Sequence, residues 1–197
     1  MIRVTDSARD NYLVTILTDA FADNQSVLYV VKQDRHRRAR IRHLMQYAVT
    51  TCREAGEVWL SNDRQGTALV LFPDRKKTTG QAILRDLRLA VSATGLRQVY
   101  RTLRREARIH ALHPNTPFCH LWFVGVHPSS QGQGVGSQLL RSLTEHYDTM
   151  QRPIYLETST VRNLPWYQKH GFTVYHELNF SYPLYLMRRY TIHDRND

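Results

Sequence analysis

The stretch Leu121-Trp-Phe-Val-Gly-Val-His-Pro-Ser-Ser-Gln-Gly-Gln-Gly-Val-Gly-Ser-Gln-Leu-Leu140 carries the clearest chemical signal in the chain. An apolar run delivers the backbone to a turn holding Gly132, Gly134 and Gly136, and an amphipathic helix begins there. Val135, Leu139, Leu143 and Tyr147 recur every four residues, which gives that helix a core face. The first turn of a helix leaves backbone N–H groups unpaired and carries partial positive charge. Glycines let an anion come close to those groups, so the pattern describes a phosphate cradle. Two familiar cradles are excluded. A P-loop needs Gly-Lys-Ser/Thr, and no lysine follows these glycines. The dinucleotide fingerprint GxGxxG fails because the third glycine falls one position early and the turn lies two-thirds of the way along the chain.

Other reactive residues sit at suggestive but weaker spacings. Cys119 adjoins His120, yet neighbours on a strand point to opposite faces and make no nucleophile–base pair. His110 and His113 are three apart, but Pro114 ends the helix before both can face one metal ion. No other ligand cluster has suitable spacing, so no metal is expected. Arg97, Arg101, Arg104, Arg105 and Arg108 form one helical stripe beside the apolar stripe Leu96, Tyr100, Leu103 and Ala107. Base-reading motifs and an aromatic platform are missing, so this reads as a solvated face pairing with acids such as Glu106 and Asp86.

The elements that must position these residues follow from periodicity and turn chemistry. Ile2–Thr5 is a short strand and Asp10–Phe21 a helix with Leu13, Ile16, Leu17 and Ala20 on one side. A basic stretch from Arg35 to Arg42 opens a longer helix that Gly56 ends. Glu57–Leu60 and Thr67–Phe72 read as a hairpin around Asn62 and Asp63. Thr78–Ala111 reads as two helices broken near Gly95, and His113–Pro117 as a loop. Then come a strand Cys119–Val126, the helix from Gly134 to Met150, a strand Ile154–Thr158, a short helix Pro165–His170, and strands Phe172–Glu177 and Leu184–Tyr190. Helices interleaved with strands define an α/β fold without an evident linker.

Composition narrows the classes further. The 197 residues suit one domain, and 42% hydrophobic with 22% charged residues exclude a disordered chain. The formal charge of +10 favours an anionic partner: nucleic acid, a membrane surface or a phosphorylated cofactor. Two cysteines build no disulfide framework. No apolar run approaches the ~18–20 residues of a membrane span. A soluble cytoplasmic protein, monomer or homodimer, is expected.

Gln131-Gly-Gln-Gly-Val-Gly136 resembles the Gln/Arg-x-x-Gly-x-Gly/Ala pattern of the GCN5-related N-acetyltransferases (GNAT). The downstream Leu156-Glu-Thr-Ser, Arg162-Asn-Leu-Pro-Trp-Tyr and Gly171-Phe172 are similar to that superfamily too, nearest to its puromycin N-acetyltransferase-like branch. The resemblance runs from about His120 to Phe172. It implies a central mixed, mostly antiparallel twisted sheet of about seven strands flanked by helices, whose splayed central strands hold acetyl-coenzyme A. It implies one domain over residues 1–197, with 1–115 on the acceptor side and 116–197 binding the cofactor.

Residue by residue, the resemblance implies that Gln131, Gly132, Gln133, Gly134, Val135, Gly136 and Ser137 hold the coenzyme A pyrophosphate. Val124, Gly125 and Val126 pair with the pantetheine arm, and Gly125 takes the place of a strand bulge that frees a backbone N–H near Val126 for the developing oxyanion. Asn163, a good N-cap by type, also contacts the cofactor, and Tyr167, four residues on, protonates the departing thiolate. Many relatives carry Lys or Arg where this chain has Gln133, so backbone amides and the helix end must hold the pyrophosphate here, with arginines elsewhere reaching the 3′-phosphate.

An alkylammonium of pKa ~10.4 is only ~0.04% neutral at pH 7, so a base or a water chain is useful. Glu157 and His120 are the candidates. Glu157 faces away from Ile154 and Leu156, and His120 shares a face with Trp122 and Val124 in a regular strand. Phe21, Tyr29, Trp59, Trp122 and Tyr155 are available to line an acceptor pocket. The implied function is acetyl transfer to a primary amine of a small molecule, without a metal or a covalent enzyme intermediate. The competing class is a non-catalytic coenzyme A-binding regulator or nucleic-acid-binding protein that uses the basic helix face.

Overall fold

The computed structural model describes residues 1–76 and 96–191. Its centre is a seven-stranded sheet in the order β1-β2-β3-β4-β5-β7-β6. The strands are β1 (Ile2–Arg3), β2 (Gly56–Leu60), β3 (Gly66–Leu71), β4 (Cys119–Val126), β5 (Ile154–Thr158), β6 (Thr173–Asn179) and β7 (Pro183–Arg189). All neighbouring pairs are antiparallel except β4 and β5. That parallel pair is joined by a helix crossover. The helices are α1 (Asp10–Ala20), α2 (Gln25–Val30), α3 (Arg37–Ala55), α4 (Leu96–His110), α5 (Val135–Thr149) and α6 (Leu164–Lys169). The expected mixed sheet is present, and among the described residues no helix is long and apolar enough to cross a membrane.

Two cores sandwich the sheet. On one side Leu13 and Leu17 of α1 and Met45 and Ala48 of α3 pack on Val58, Leu60, Leu69 and Phe123. On the other, Leu139, Leu140, Leu143 and Tyr147 of α5 cover Trp59, Val70, Leu121 and Leu156. This is the four-residue repeat read from the sequence, now placed against a surface. Burying each such leucine contributes about 1.5–3 kcal/mol, so the helix carrying the glycine turn is firmly seated.

The run Val27–Val31 contains a short helix, α2, started by the Asn24 side chain accepting from the Val27 N–H at 3.1 Å. Gly56 ends α3 as expected; its backbone is extended, and a Cβ there would lie 2.0 Å from the Val70 carbonyl oxygen. The arginine stripe of α4 is solvated in part, as expected: Arg101, Arg104 and Arg108 are exposed, and Arg105 pairs with Glu106. Arg105 is buried, its Nε donating to the Tyr182 hydroxyl at 2.9 Å, while Arg101 and Arg108 lie over the Tyr29 and Phe180 rings. The neighbouring Tyr100 and Leu103 are instead 71% and 63% exposed. The guanidinium groups of Arg101 and Arg108 lie over aromatic rings at the surface, while Arg105 and Ile109 make the buried contacts of the helix. Residues 78–95 of the two expected helices, with Asp86, lie outside the described residues.

The expectation for β4 needs correction. Pairing with β3 runs from Val126 opposite Gly66 to Phe123 opposite Leu69 without interruption, then slips so that Val70 faces Leu121. The extra residue is Trp122, not Gly125. Gly125 meets a different need: α1 crosses so closely that a Cβ would lie 3.0 Å from Leu17 Cδ2 and 3.2 Å from Ala20 Cβ. The bulge also resets the alternation. His120 stacks with Trp122 on the α1/α3 side, whereas Val124 packs toward α5 and so does not share its face.

Candidate active site

The bonded ladder between β4 and β5 consists of two pairs, Cys119 with Ile154 and His120 with Tyr155. Beyond them the strands part. Among the described residues, β4 from Leu121 onward bonds β3 on one edge and no strand on the other. The departure from β5, and not a bulge at Gly125, opens that edge. A cavity of about 710 Å³ lies at the divergence. Its wall includes Trp122, Phe123, Val124, Glu157, Asn163 and Tyr167, together with Phe21 and Tyr47 from the first half of the chain.

Sheet topology brings both candidate bases together at the narrow end of the splay. His120 Nε2 lies 2.7 Å from Glu157 Oε2, and His113 Nε2 lies 2.8 Å from Glu157 Oε1. His113 was missed as a site residue because it comes from a Pro-flanked loop, and only the fold places it over β5. Burial opposes the Glu157 charge, but the His120 and His113 imidazoles outweigh that and hold the carboxyl well below the usual range. For His120, burial works against the imidazolium, and the Glu157 charge and hydrogen bond outweigh it, raising the pKa. Glu157 is therefore a fixed anion with both oxygens engaged, and His120 is the more basic partner. His113, His120 and Glu157 also present three ligand atoms within 4.8 Å of one another, a cluster that chain spacing concealed.

Tyr167 lies across the cavity from this group. Burial first, and the Glu157 charge second, push its phenol well above the usual range. It stays protonated at neutral pH and, for the same reason, is a weaker acid than a free phenol. Asn163 sits at the N-cap position of α6, but its backbone is helical and its side chain makes no capping bond. The cap expected from residue type is absent, and the amide lines the cavity instead. Cys119 points to the α5 side, where burial pushes its thiol up to about 12, so it is no nucleophile. Of the aromatic candidates, Phe21 and Trp122 reach the cavity. Trp59 bonds the Tyr147 hydroxyl under α5, Tyr29 supports α4, and Tyr155 packs on Phe118.

The glycine turn adjoins the other end of the splay. Gly132 and Gly134 have φ of +77° and +86°, and a Cβ at either would meet nothing within 4 Å. Only glycine adopts these conformations readily, and both leave open space before the first turn of α5. Gly134 caps α5 with no side-chain bond. Gln131 donates to the Val126 carbonyl at 3.1 Å and Gln133 to the Ser129 carbonyl at 2.9 Å, so both amides brace the turn. Trp166 Nε1 donates to Ser137 Oγ at 2.8 Å, tying the helix of Asn163 and Tyr167 to the start of α5. Uncapped N–H groups, positive-φ glycines and free space are the features a pyrophosphate requires, so these residues fit the group.

Comparison with known proteins agrees with this fold. Residues 106–174 match the model of the acetyltransferase (GNAT) domain. A structure of histone acetyltransferase HPA2 and related acetyltransferase from Corynebacterium glutamicum superposes with TM-score 0.69 at 20% identity, covering 96% of this chain and 94% of that one. Arylalkylamine N-acetyltransferase 2 from Aedes aegypti gives TM-score 0.62 at 15% identity over 96% and 98% of the two chains. Chaetomium thermophilum Naa20, in complex with a bisubstrate analogue, gives 0.52 at 14% over 99% and 88%. At these identities the structural likeness is one of fold. The fold is therefore that of these acetyltransferase structures, and within it residues 106–174 match the acetyltransferase (GNAT) domain model.

Proposed function

We propose that this protein transfers the acetyl group of acetyl-coenzyme A to a primary amine of a small molecule, by direct attack within a ternary complex. The observation that carries the reading is the single cavity at the β4–β5 divergence, which exposes Tyr167 and Asn163 to the same space as the Glu157–His120 pair. Residues 1–197 act as one domain, the first 115 supplying the acceptor wall through Phe21 and Tyr47 and the remainder holding the acyl donor.

Backbone N–H groups of Val135, Gly136 and Ser137 would hold the pyrophosphate, with Gln131, Gly132, Gln133 and Gly134 shaping the turn. The β5-facing edge of Val124, Gly125 and Val126 would pair with the pantetheine arm, and Asn163 would bond it from α6. When bound, acetyl-coenzyme A supplies an activated carbonyl with a thiolate leaving group. His120, its Nε2–H donated to Glu157, accepts a proton from the incoming ammonium through Nδ1. Glu157 fixes that tautomer and balances the imidazolium. A β4 backbone N–H stabilises the oxygen that gains charge. Tyr167 donates its proton to the departing sulfur and recovers one from the amine nitrogen as the amide forms. One proton leaves per turnover.

Two measurements test this. Calorimetry with coenzyme A should show one binding site, and a panel of amines should yield acetylated product with stoichiometric thiol. Salt-sensitive nucleic-acid binding without coenzyme A binding would support the competing class instead.

A further inference from the structure

Acetyl transfer as derived above uses His120 and one oxygen of Glu157. The other oxygen is taken by His113, a second buried histidine that the reaction does not require. Ring contacts hold both imidazoles in place: His113 lies 5.1 Å from Phe118, and His120 stacks on Trp122 at 6.4 Å. The side chains of His113, His120 and Glu157 are only 5%, 10% and 11% exposed, and they converge from a loop, β4 and β5 on one point in the cavity wall.

Two imidazole nitrogens and a carboxylate are the donor set of a zinc-class cation with an open coordination position. The present Nε2–O separations of 2.7 and 2.8 Å suit shared protons. A tetrahedral ion with bonds of ~2.0–2.2 Å spaces its ligand atoms by about 3.3 Å. Small ring and carboxylate rotations would open that distance, and all three residues line the cavity.

We propose that His113, His120 and Glu157 form a binding site for a zinc-class divalent cation, and that filling it switches acetyl transfer off. The cation takes the place of the Nε2 protons. An imidazole held through Nε2 carries its proton on Nδ1, so His120 no longer has a lone pair to offer the amine. The regulatory half of this proposal rests on the acetyl-transfer reading; the binding half does not.

Cobalt(II) is the probe for binding, because its visible absorption reports an ordered nitrogen and oxygen ligand set without any assay of activity. Wild-type protein freed of metal should develop visible bands that saturate at one equivalent and fade when zinc is added. His113→Leu and Glu157→Gln should each weaken zinc affinity at least about 100-fold by calorimetry, with melting curves showing that the variants are folded. Absence of the bands in the wild type, or unchanged affinity in both folded variants, overturns the site. For regulation, acetylated amine is followed by mass spectrometry, since free thiol binds zinc. Zinc should stop product formation at the concentrations that fill the site, and a chelator should restore it. Full activity with the site saturated overturns the switch. If no amine is acetylated even with chelator present, the acetyl-transfer reading fails, and the cobalt bands still decide the site.

Discussion

Removing the imidazole of His120 should produce a defect that shrinks as pH rises. The Glu157 carboxylate at 2.7 Å raises the basicity of His120 despite burial, so the neutral imidazole is a stronger acceptor for the amine proton. General-base assistance of this kind contributes about 10²–10⁴-fold. His120→Ala must instead wait for amine that is already neutral. For an amine of pKa ~10.4 that fraction is ~0.04% at pH 7 and ~4% at pH 9, a rise of two decades. Starting from a deficit of about 10³-fold at pH 7, the variant should close the gap by about tenfold per pH unit, to about 10-fold at pH 9. The wild type should lose activity below the raised His120 pKa, where the imidazole is already protonated and cannot accept. Initial rates of acetylamine formation at saturating acetyl-coenzyme A and chelator, from pH 6 to about 9, give both profiles. A deficit independent of pH, or no deficit, refutes the assignment of His120 as base.

Three further outcomes follow from the same geometry. Gly134→Val forces a β-branched residue into φ +86° and fills the cradle; affinity for coenzyme A measured by calorimetry should fall at least about 100-fold, or about 2.8 kcal/mol. Tyr167→Phe should keep that affinity, because the phenol is not part of the cradle, while kcat falls about 10²-fold or more; an unchanged kcat would leave the thiolate without its assigned donor. Gly56→Ala places a methyl against the Val70 carbonyl, where a Cβ would sit at 2.0 Å. Such overpacking costs about 1–3 kcal/mol, and thermal unfolding should shift down by several degrees with the affinity for coenzyme A preserved.

Local chemistry explains what the sequence disclosed. The strand Cys119–Val126, the strand Ile154–Thr158 and the four-residue repeat of α5 are long, strongly patterned segments, and each lies where pattern placed it. The glycine turn was legible because positive φ leaves few residue types to choose from. What stayed hidden depends on pairing between distant segments. The slip at Trp122 arises from the register of β3 against β4, and it alone moves Val124 off the His120 face. His113 joins Glu157 across 44 residues of chain, so no spacing rule finds it. Arg105 misled for a related reason: it reads as one more solvated cation of the stripe until Tyr182 is brought against it.

The most direct test is a crystal structure of the protein with coenzyme A. The account predicts the diphosphate against the N–H groups of Val135, Gly136 and Ser137, the pantetheine arm in the gap between β4 and β5, and the sulfur beside the Tyr167 hydroxyl on the side of the cavity facing His120. A diphosphate bound elsewhere, or a sulfur directed away from Tyr167, contradicts it.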